Sequence, residues 1–366
     1  MILMNEFSKE PQELKAAMAD AARRVIESGW YILGPEVQSF ENKFAAYCGL
    51  PHAVAVGNGM DAIEIALRVS GVGPGDEVIT TPMTAFATVL AVFRAGAIPV
   101  LADIDGSTGL LSVDSVRRCL TPRTRAVILV HLYGQLGNME QWSILCAEAG
   151  VQLIEDCAQS HGARFRGRAA GSFGVCGAYS FYPTKNLGAL GDGGALVTGD
   201  EAVAAQAACL RNYGQSERYI HPEIGLNSRL DEIQAAILSV RLDQLDGYTD
   251  ARRSIARRYR EGIICPLVQM LAPPCEIEAH VYHLFVVLCE KRDALQFHLK
   301  TMGVQSLLHY PVPIHLQDPC VDIRRDPHGL AMSESHAAKC LSLPCHPQMS
   351  NSDVEHVIAS VNRFSG

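Results

Sequence analysis

A chain of 366 residues is too long for one simple core and suits a large domain joined to a smaller one. With 48% hydrophobic and 19% charged residues it is globular rather than disordered. A net charge of −8 argues against a general nucleic-acid binder, although a local site can oppose the global sign and hold a phosphorylated ligand.

In chain order, "EPQELKAAMADAARRVIES" (10–28) predicts a helix, with acids early and apolar residues at helical spacing. An α/β alternation follows. "DAIEIALRVSG" is helical and stops at Gly71, "DEVITTP" is a strand stopped by Pro82, and "AFATVLAVFRAG" is a helix ending at Gly96. "IPVLADID" and "TRAVILVHLYG" predict β-branched strands, "MEQWSILCAEAG" a helix, and "VQLIEDCAQ" a strand that ends in acids. Short apolar strands separated by helices imply a mostly parallel sheet covered on both faces. Functional groups then belong at the carboxyl ends of strands, where Asp103, His131 and Asp156 fall. From about residue 245 the pattern changes. "HVYHLFVVLCE", "RDALQFHLKTMG" and "VQSLLHYPVP" suggest strand, helix, strand in a smaller α+β domain. The expected division is a large domain over 1–245, N-terminal helix included, and a small one over 246–366.

Twelve cysteines are scattered from Cys48 to Cys345 without a CxxC pair or zinc spacing, so reduced thiols and no metal site are expected. "MILMNEFSKEPQEL" has no basic segment before a long apolar one, and no apolar run reaches membrane-spanning length. The expected setting is cytoplasmic, without a membrane partner.

Lys185 lies in "SFYPTKNLGALGDGG", where Phe181 and Tyr182 supply apolar bulk and Pro183 stiffens the backbone. A lone lysine is most often a solvated charge, and a strand-end carboxylate such as Asp156 is most often a helix cap. Partial desolvation would lower the Lys185 pKa and make its amine a nucleophile toward an aldehyde. Pyridoxal phosphate needs such an amine, plus an acid at its pyridine nitrogen so that the ring can draw electrons from a carbanion. Asp156 is the candidate acid. The phosphate needs backbone donors at a turn into a helix. "AVGNGMDAIEIAL" offers them, with Gly57 and Gly59 permitting close approach and free N–H groups from about Met60. Each signal alone is weak, and a tight structural turn explains the GxG equally well.

"GPGDEVITTP", "GAIPVLADID", "VHLYGQLGNM", "IEDCAQSHGA", "SFYPTKNLGALGDGGALVT", "RNYG" and "GLNSRLDEIQAAIL" stand in one order over nearly the whole chain. In that combination the sequence resembles the DegT/DnrJ/EryC1/StrS group of sugar aminotransferases. The resemblance implies the aspartate-aminotransferase fold (fold type I of pyridoxal-phosphate enzymes), α/β in class. By the same resemblance, Lys185 carries the cofactor covalently and Asp156 pairs with its ring nitrogen. Gln159 lies near the ring and its phenolic oxygen. Ser180 and the amides of Gly59, Met60 and Asp61 hold the phosphate. Asn227 reaches it from the neighbouring subunit of a homodimer with shared sites. The implied partners are a nucleotide-linked keto sugar and glutamate as amino donor.

The chain departs from the family pattern twice. "TPMTAFAT" puts Ala85 where the family has an aromatic stacked on the ring, with Phe86 one step later as the candidate replacement. Met60 stands where the family often has threonine, which leaves only an amide for the phosphate. Lys185 argues against the dehydrating branch that carries histidine there. "KNLGALGDGGA" and "HYPVPIHLQ" resemble the branch that aminates a 3-keto-6-deoxyhexose on a nucleoside diphosphate, with dTDP expected. His309, Tyr310 and His315 then face the substrate, against an even alternative of structural hydrogen bonding. The competing functions are amination at C4, amination of a keto-cyclitol, and a regulatory protein that binds the cofactor without turnover.

Overall fold

The computed structural model describes residues 1–366. Its strands are β1 (His52–Val56), β2 (Glu77–Thr80), β3 (Ile98–Leu101), β4 (Thr124–Val130), β5 (Gln152–Asp156), β6 (Arg164–Phe165), β7 (Arg168–Ala169), β8 (Cys176–Ser180), β9 (Gly194–Thr198), β10 (Gln269–Met270), β11 (Phe285–Leu288), β12 (Arg324–Arg325) and β13 (Cys340–Leu343). The α-helices are α1 (Gln12–Ser28), α2 (Pro35–Cys48), α3 (Gly59–Val69), α4 (Phe86–Arg94), α5 (Val113–Cys119), α6 (Met139–Ala149), α7 (Glu201–Leu210), α8 (Glu232–Leu242), α9 (Leu245–Gly262), α10 (Arg292–Thr301), α11 (Ala331–Lys339) and α12 (Asn351–Asn362).

Eight strands form one sheet in the order β1-β9-β8-β5-β4-β2-β3-β12. The pairings from β8 through to β12 are parallel, and only β1–β9 and β8–β9 are antiparallel. All four residues of β2 and the last five of β4 are buried, as strands covered on both faces must be. One core cluster runs along each face: α2, α6 and α8 contribute to one, α3, α4 and α7 to the other. Helix starts follow the capping chemistry. Asn58 accepts from the Asp61 amide at the start of α3, and Asp200 does the same for α7.

Beyond α9, β10, β11 and β13 form a separate three-stranded antiparallel sheet. With α10 and α12 it encloses a core of 19 residues, from Ile255 to Phe364. The chain crosses back once: β12 joins the edge of the large sheet beside β3. Its first residues also lie on this C-terminal unit, where Ile2 bridges Val304 and the Met4 amide donates to Gln305.

The expected strand "VQSLLHYPVP" is absent. Only isolated bridges form, Val304 to Ile2 and Leu307 to Ser342. Pro311 and Pro313 remove two ladder donors, so the apolar run cannot continue as a strand.

Candidate active site

The parallel strands deliver their carboxyl ends to one edge of the sheet. Asp156 is the last residue of β5, Ser180 the last of β8, and His131 directly follows β4. Helices α3 and α4 start at the same edge, with Gly59 and Phe86 as their first residues. This edge is where an α/β sheet opens a crevice for ligands.

Asp156 is 5% exposed, and two groups of the chain donate to it. Thr88 Oγ1 donates to Oδ2 at 2.8 Å and the Ala158 amide to Oδ1 at 3.1 Å. Lys185 sits on a turn closed by its own amide on the Tyr182 carbonyl. Although part of the residue meets solvent, burial lowers its amine to about 8, with the nearby Asp156 charge pulling the other way. An ordinary lysine at pH 7 is neutral in roughly one molecule in 3,000; at a pKa of about 8 the share is roughly one in eleven. Gln159 is fixed at both ends: its Oε1 accepts from the Tyr133 amide at 2.6 Å, and its Nε2 donates to the Tyr310 hydroxyl at 3.2 Å.

The turn into α3 fits an anion. The Gly59 and Met60 amides have no partner in the chain, whereas the Asp61 amide already donates to Asn58 Oδ1 at 2.8 Å. The Asp61 carboxylate is also occupied, by the Asn58 side chain and by Arg94. Ser180 is the immediate neighbour: a Cβ on Gly59 would lie 2.6 Å from that of Ser180. A Cβ on Gly194 would meet the Asn58 carbonyl at 2.5 Å. These two glycines let β8, β9 and the α3 turn close on one another, leaving two open amides beside one hydroxyl.

Three histidines stand within the field of Lys185: His309, expected at the substrate, and His161 and His283, which the sequence did not single out. His161 is fully buried against Tyr179 and Phe181, with both ring nitrogens unpartnered. Burial and the Lys185 charge lower it to about 3. His283, bonded to Asn186 next to Lys185, is lowered well below the usual range, by burial first and then by Lys185. His309 is lowered to about 4 for the same two reasons, and its Nδ1 pairs with Ser342 at 2.8 Å. Neutral histidines around an amine do not add to its positive field. Tyr310 is pushed up to about 12 by burial and by Asp156, so its hydroxyl keeps its proton. Thr88, Tyr133, His161 and His283 lie in stretches quoted above, but nothing local marks them as neighbours of Asp156 or Lys185.

The remaining expected residues are less converged. Phe86 is 36% exposed at the start of α4 and pairs with no other ring. His315 is buried, and its Nε2 bonds Glu334 of α11 at 3.0 Å, far along the chain from the Lys185 turn. Asn227 is exposed and bridges Asn212, while its neighbour Ser228 accepts from the Gly57 amide. Asp103 serves the fold: its carboxylate accepts from the Met332 and Ser333 amides at the start of α11. His131, Glu155 and Cys157 bring ligand-type atoms within 4.8 Å of one another. Both Glu155 oxygens are already taken, by three backbone amides and His131, which suits an anchored carboxylate better than an ion. Ten of the twelve cysteines are buried free thiols.

The profile of the DegT/DnrJ/EryC1/StrS aminotransferase family matches residues 12–362. The erythromycin biosynthesis sensory transduction protein EryC1 of Saccharopolyspora erythraea is 45% identical over 355 residues, 95% of each chain. The dTDP-3-amino-3,4,6-trideoxy-alpha-D-glucose transaminase of Streptomyces venezuelae is 44% identical over 356 residues, 97% of this chain and 93% of the other. Among solved structures, S. venezuelae DesV in complex with a ketimine intermediate superposes with a TM-score of 0.95 at 43% identity, covering 99% of this chain and 97% of that one. The expected fold class is thereby met: the chain has the α/β fold of these aminotransferases.

Proposed function

The chain belongs to the DegT/DnrJ/EryC1/StrS aminotransferase family, and on that premise we propose that it moves an amino group from glutamate to C3 of a dTDP-linked 3-keto-6-deoxyhexose, using pyridoxal phosphate held at Lys185. The observation that carries the reading is the meeting, at one sheet edge, of an amine lowered to about 8 with a buried carboxylate. The residues fit the cofactor. The open Gly59 and Met60 amides and the Ser180 hydroxyl match a phosphate, and Asp156 offers an acceptor for a protonated ring nitrogen. When bound, the cofactor supplies an electron sink for the carbon that gains or loses the amine.

The chain's own groups do the rest. The Lys185 amine would hold the cofactor covalently, and the same amine would move a proton at the reacting carbon; a pKa of about 8 suits transfer in both directions near neutrality. Asp156 would accept from the ring nitrogen and so keep its proton in place. Gln159, fixed by Tyr133 and Tyr310, would stand near the ring and its phenolic oxygen. His309 and Tyr310 face the sugar, where their neutral rings supply hydrogen bonds without competing for the anionic diphosphate. Phe86 is the candidate ring-stacking group in place of Ala85, and His315 an outer substrate contact.

The dimer belongs to the same reading. Trp30, Tyr31, Ile32, Leu190 and Ile224 are large apolar side chains exposed on a single chain, Ile224 at 88%. Exposed Asn227 is then free to reach the partner's phosphate site. A cytoplasmic setting and a division into 1–245 and 246–366 complete it. No helix is long and apolar enough to cross a membrane.

C3 is favoured by the near-complete alignment with the S. venezuelae transaminase. The regulatory name of the similar Saccharopolyspora protein favours a second reading, cofactor binding without turnover. One assay separates them: glutamate-dependent amination of paired 3-keto and 4-keto dTDP-6-deoxyhexoses and of a free keto-cyclitol, with product structure by NMR. A C3-amino product is expected. A C4 product, reaction of the cyclitol alone, or no exchange of amino groups with glutamate overturns the reading.

A further inference from the structure

We propose that Thr84 and Thr88 are positioning residues that aim the Asp156 carboxylate through a two-hydroxyl relay. The inference rests on Asp156 serving the cofactor's ring nitrogen.

The relay is buried from end to end: Thr84 is 4% exposed, Thr88 1% and Asp156 5%. Thr84 Oγ1 lies 2.8 Å from Thr88 Oγ1, which lies 2.8 Å from Asp156 Oδ2. Its polarity follows from counting protons. An ionised carboxylate only accepts, so the single hydroxyl proton of Thr88 goes to Asp156. Thr88 oxygen must then accept, and Thr84 donates to it. Each donation polarises the next, so the Thr88 bond to the charged oxygen is stronger than an isolated one.

The second oxygen is held by the Ala158 amide at 3.1 Å. With one donor on each oxygen, from two different directions, the carboxylate has one orientation. Two of its roughly four acceptor positions are filled and two stay open for a ligand. Thr88 sits in the first turn of α4 and Thr84 just before it, so the relay ties Asp156 to the start of that helix. Ala85 and Phe86 lie between the two threonines. The segment that lacks the family's stacking aromatic is therefore the one that aims the acid. A loss of orientation of about 1 Å at such a group costs much of its effect on a ligand.

The test uses full-length protein reconstituted with pyridoxal phosphate labelled with 15N at the ring nitrogen. Thr88→Val keeps the shape without the hydroxyl, Thr88→Ser keeps the hydroxyl, and Thr84→Val removes the relay's first donor. A parental melting profile certifies folding, and Thr84→Val serves as the reporter if Thr88→Val does not fold. In Thr88→Val the 15N resonance should move toward the unprotonated position and kcat fall roughly tenfold with KM little changed. Thr88→Ser should restore both, and Thr84→Val should give the smaller shift in the same direction. In an Asp156→Asn background, Thr88→Val should add nothing. Unchanged 15N resonances in both valine variants, or a full further loss in the Asp156→Asn background, overturn the relay while leaving Asp156 at the ring. An Asp156→Asn protein with the parental resonance would sink the cofactor reading itself.

Discussion

Glu155 and Asp156 are consecutive acids at the end of β5, both buried, and they face opposite sides of the sheet. On one side Glu155 accepts from the amides of Gly171, Phe173 and Gly174 and pairs with His131 at 2.8 Å. On the other side Asp156 accepts from one hydroxyl and one amide, and stands within the field of a lysine lowered to about 8. The first acid is saturated and ties a loop to the sheet. The second is aimed and incompletely filled. Both are buried acids, so what differs is spare hydrogen-bonding capacity, which the role proposed for Asp156 requires.

Substitution should separate the two sides. The largest effect is expected at Lys185: Lys185→Ala should stay folded and bind the cofactor, yet lose turnover by about 10⁴-fold or more, read by the glutamate-dependent assay. On the Asp156 side, Asp156→Asn should keep the melting profile and lower kcat by about 10²- to 10³-fold, because a neutral partner no longer favours a protonated ring. Glu155→Gln should invert that pattern. It removes the charge that three amides and His131 share, and should destabilise by about 3 kcal/mol or more in denaturant titrations, with near-parental kcat in the folded fraction. A Glu155→Gln protein that is stable but inactive would break the comparison.

Acid sharpens it. His161 and His309 are held at about 3 and about 4 when folded and return to an ordinary value when unfolded. Because the folded values are lowered, the unfolded chain binds the extra protons. The share of stability tied to these two histidines is therefore fully present above about pH 6.5 and is lost as pH falls from there toward the folded values, by up to about 1.4 kcal/mol per pH unit for each. Denaturant titrations at pH 7 and pH 5 measure the slope, and His161→Phe should flatten it. A smaller effect is expected from subunit mixing. Lys185→Ala combined with an inactive Asn227→Ala protein should restore part of the activity, since one site of each mixed dimer has both residues intact. A dead mixture in which heterodimers have formed counts against the shared site.

Much of the fold was legible because periodicity reports burial. The β2–α4–β3 and β4–α6–β5 alternations read directly as a covered parallel sheet, and strand-end positions placed Asp156 and His131 at the crevice edge. Legibility failed where partners are distant. "VQSLLHYPVP" has strand-like residues, but its prolines and its sheet partner decide against a strand. β12 is only two residues long and has no signal of its own. At the site, motif order singled out Lys185, Asp156, Gln159 and Ser180. Thr88 and His283 act through contacts 68 and 97 residues away, which no local pattern encodes. Asp103 shows the converse: its strand-end position looks chemical, yet its carboxylate caps α11.

Borohydride reduction of the protein loaded with pyridoxal phosphate, followed by peptide mapping, is the most direct test of the division between the two sides of β5. The label should fall on the peptide carrying Lys185, with the visible absorption lost in step, and Lys185→Ala should take up none. Label on another lysine, or equal labelling of Lys185→Ala, would contradict the assignment of the Asp156 side as the chemical one.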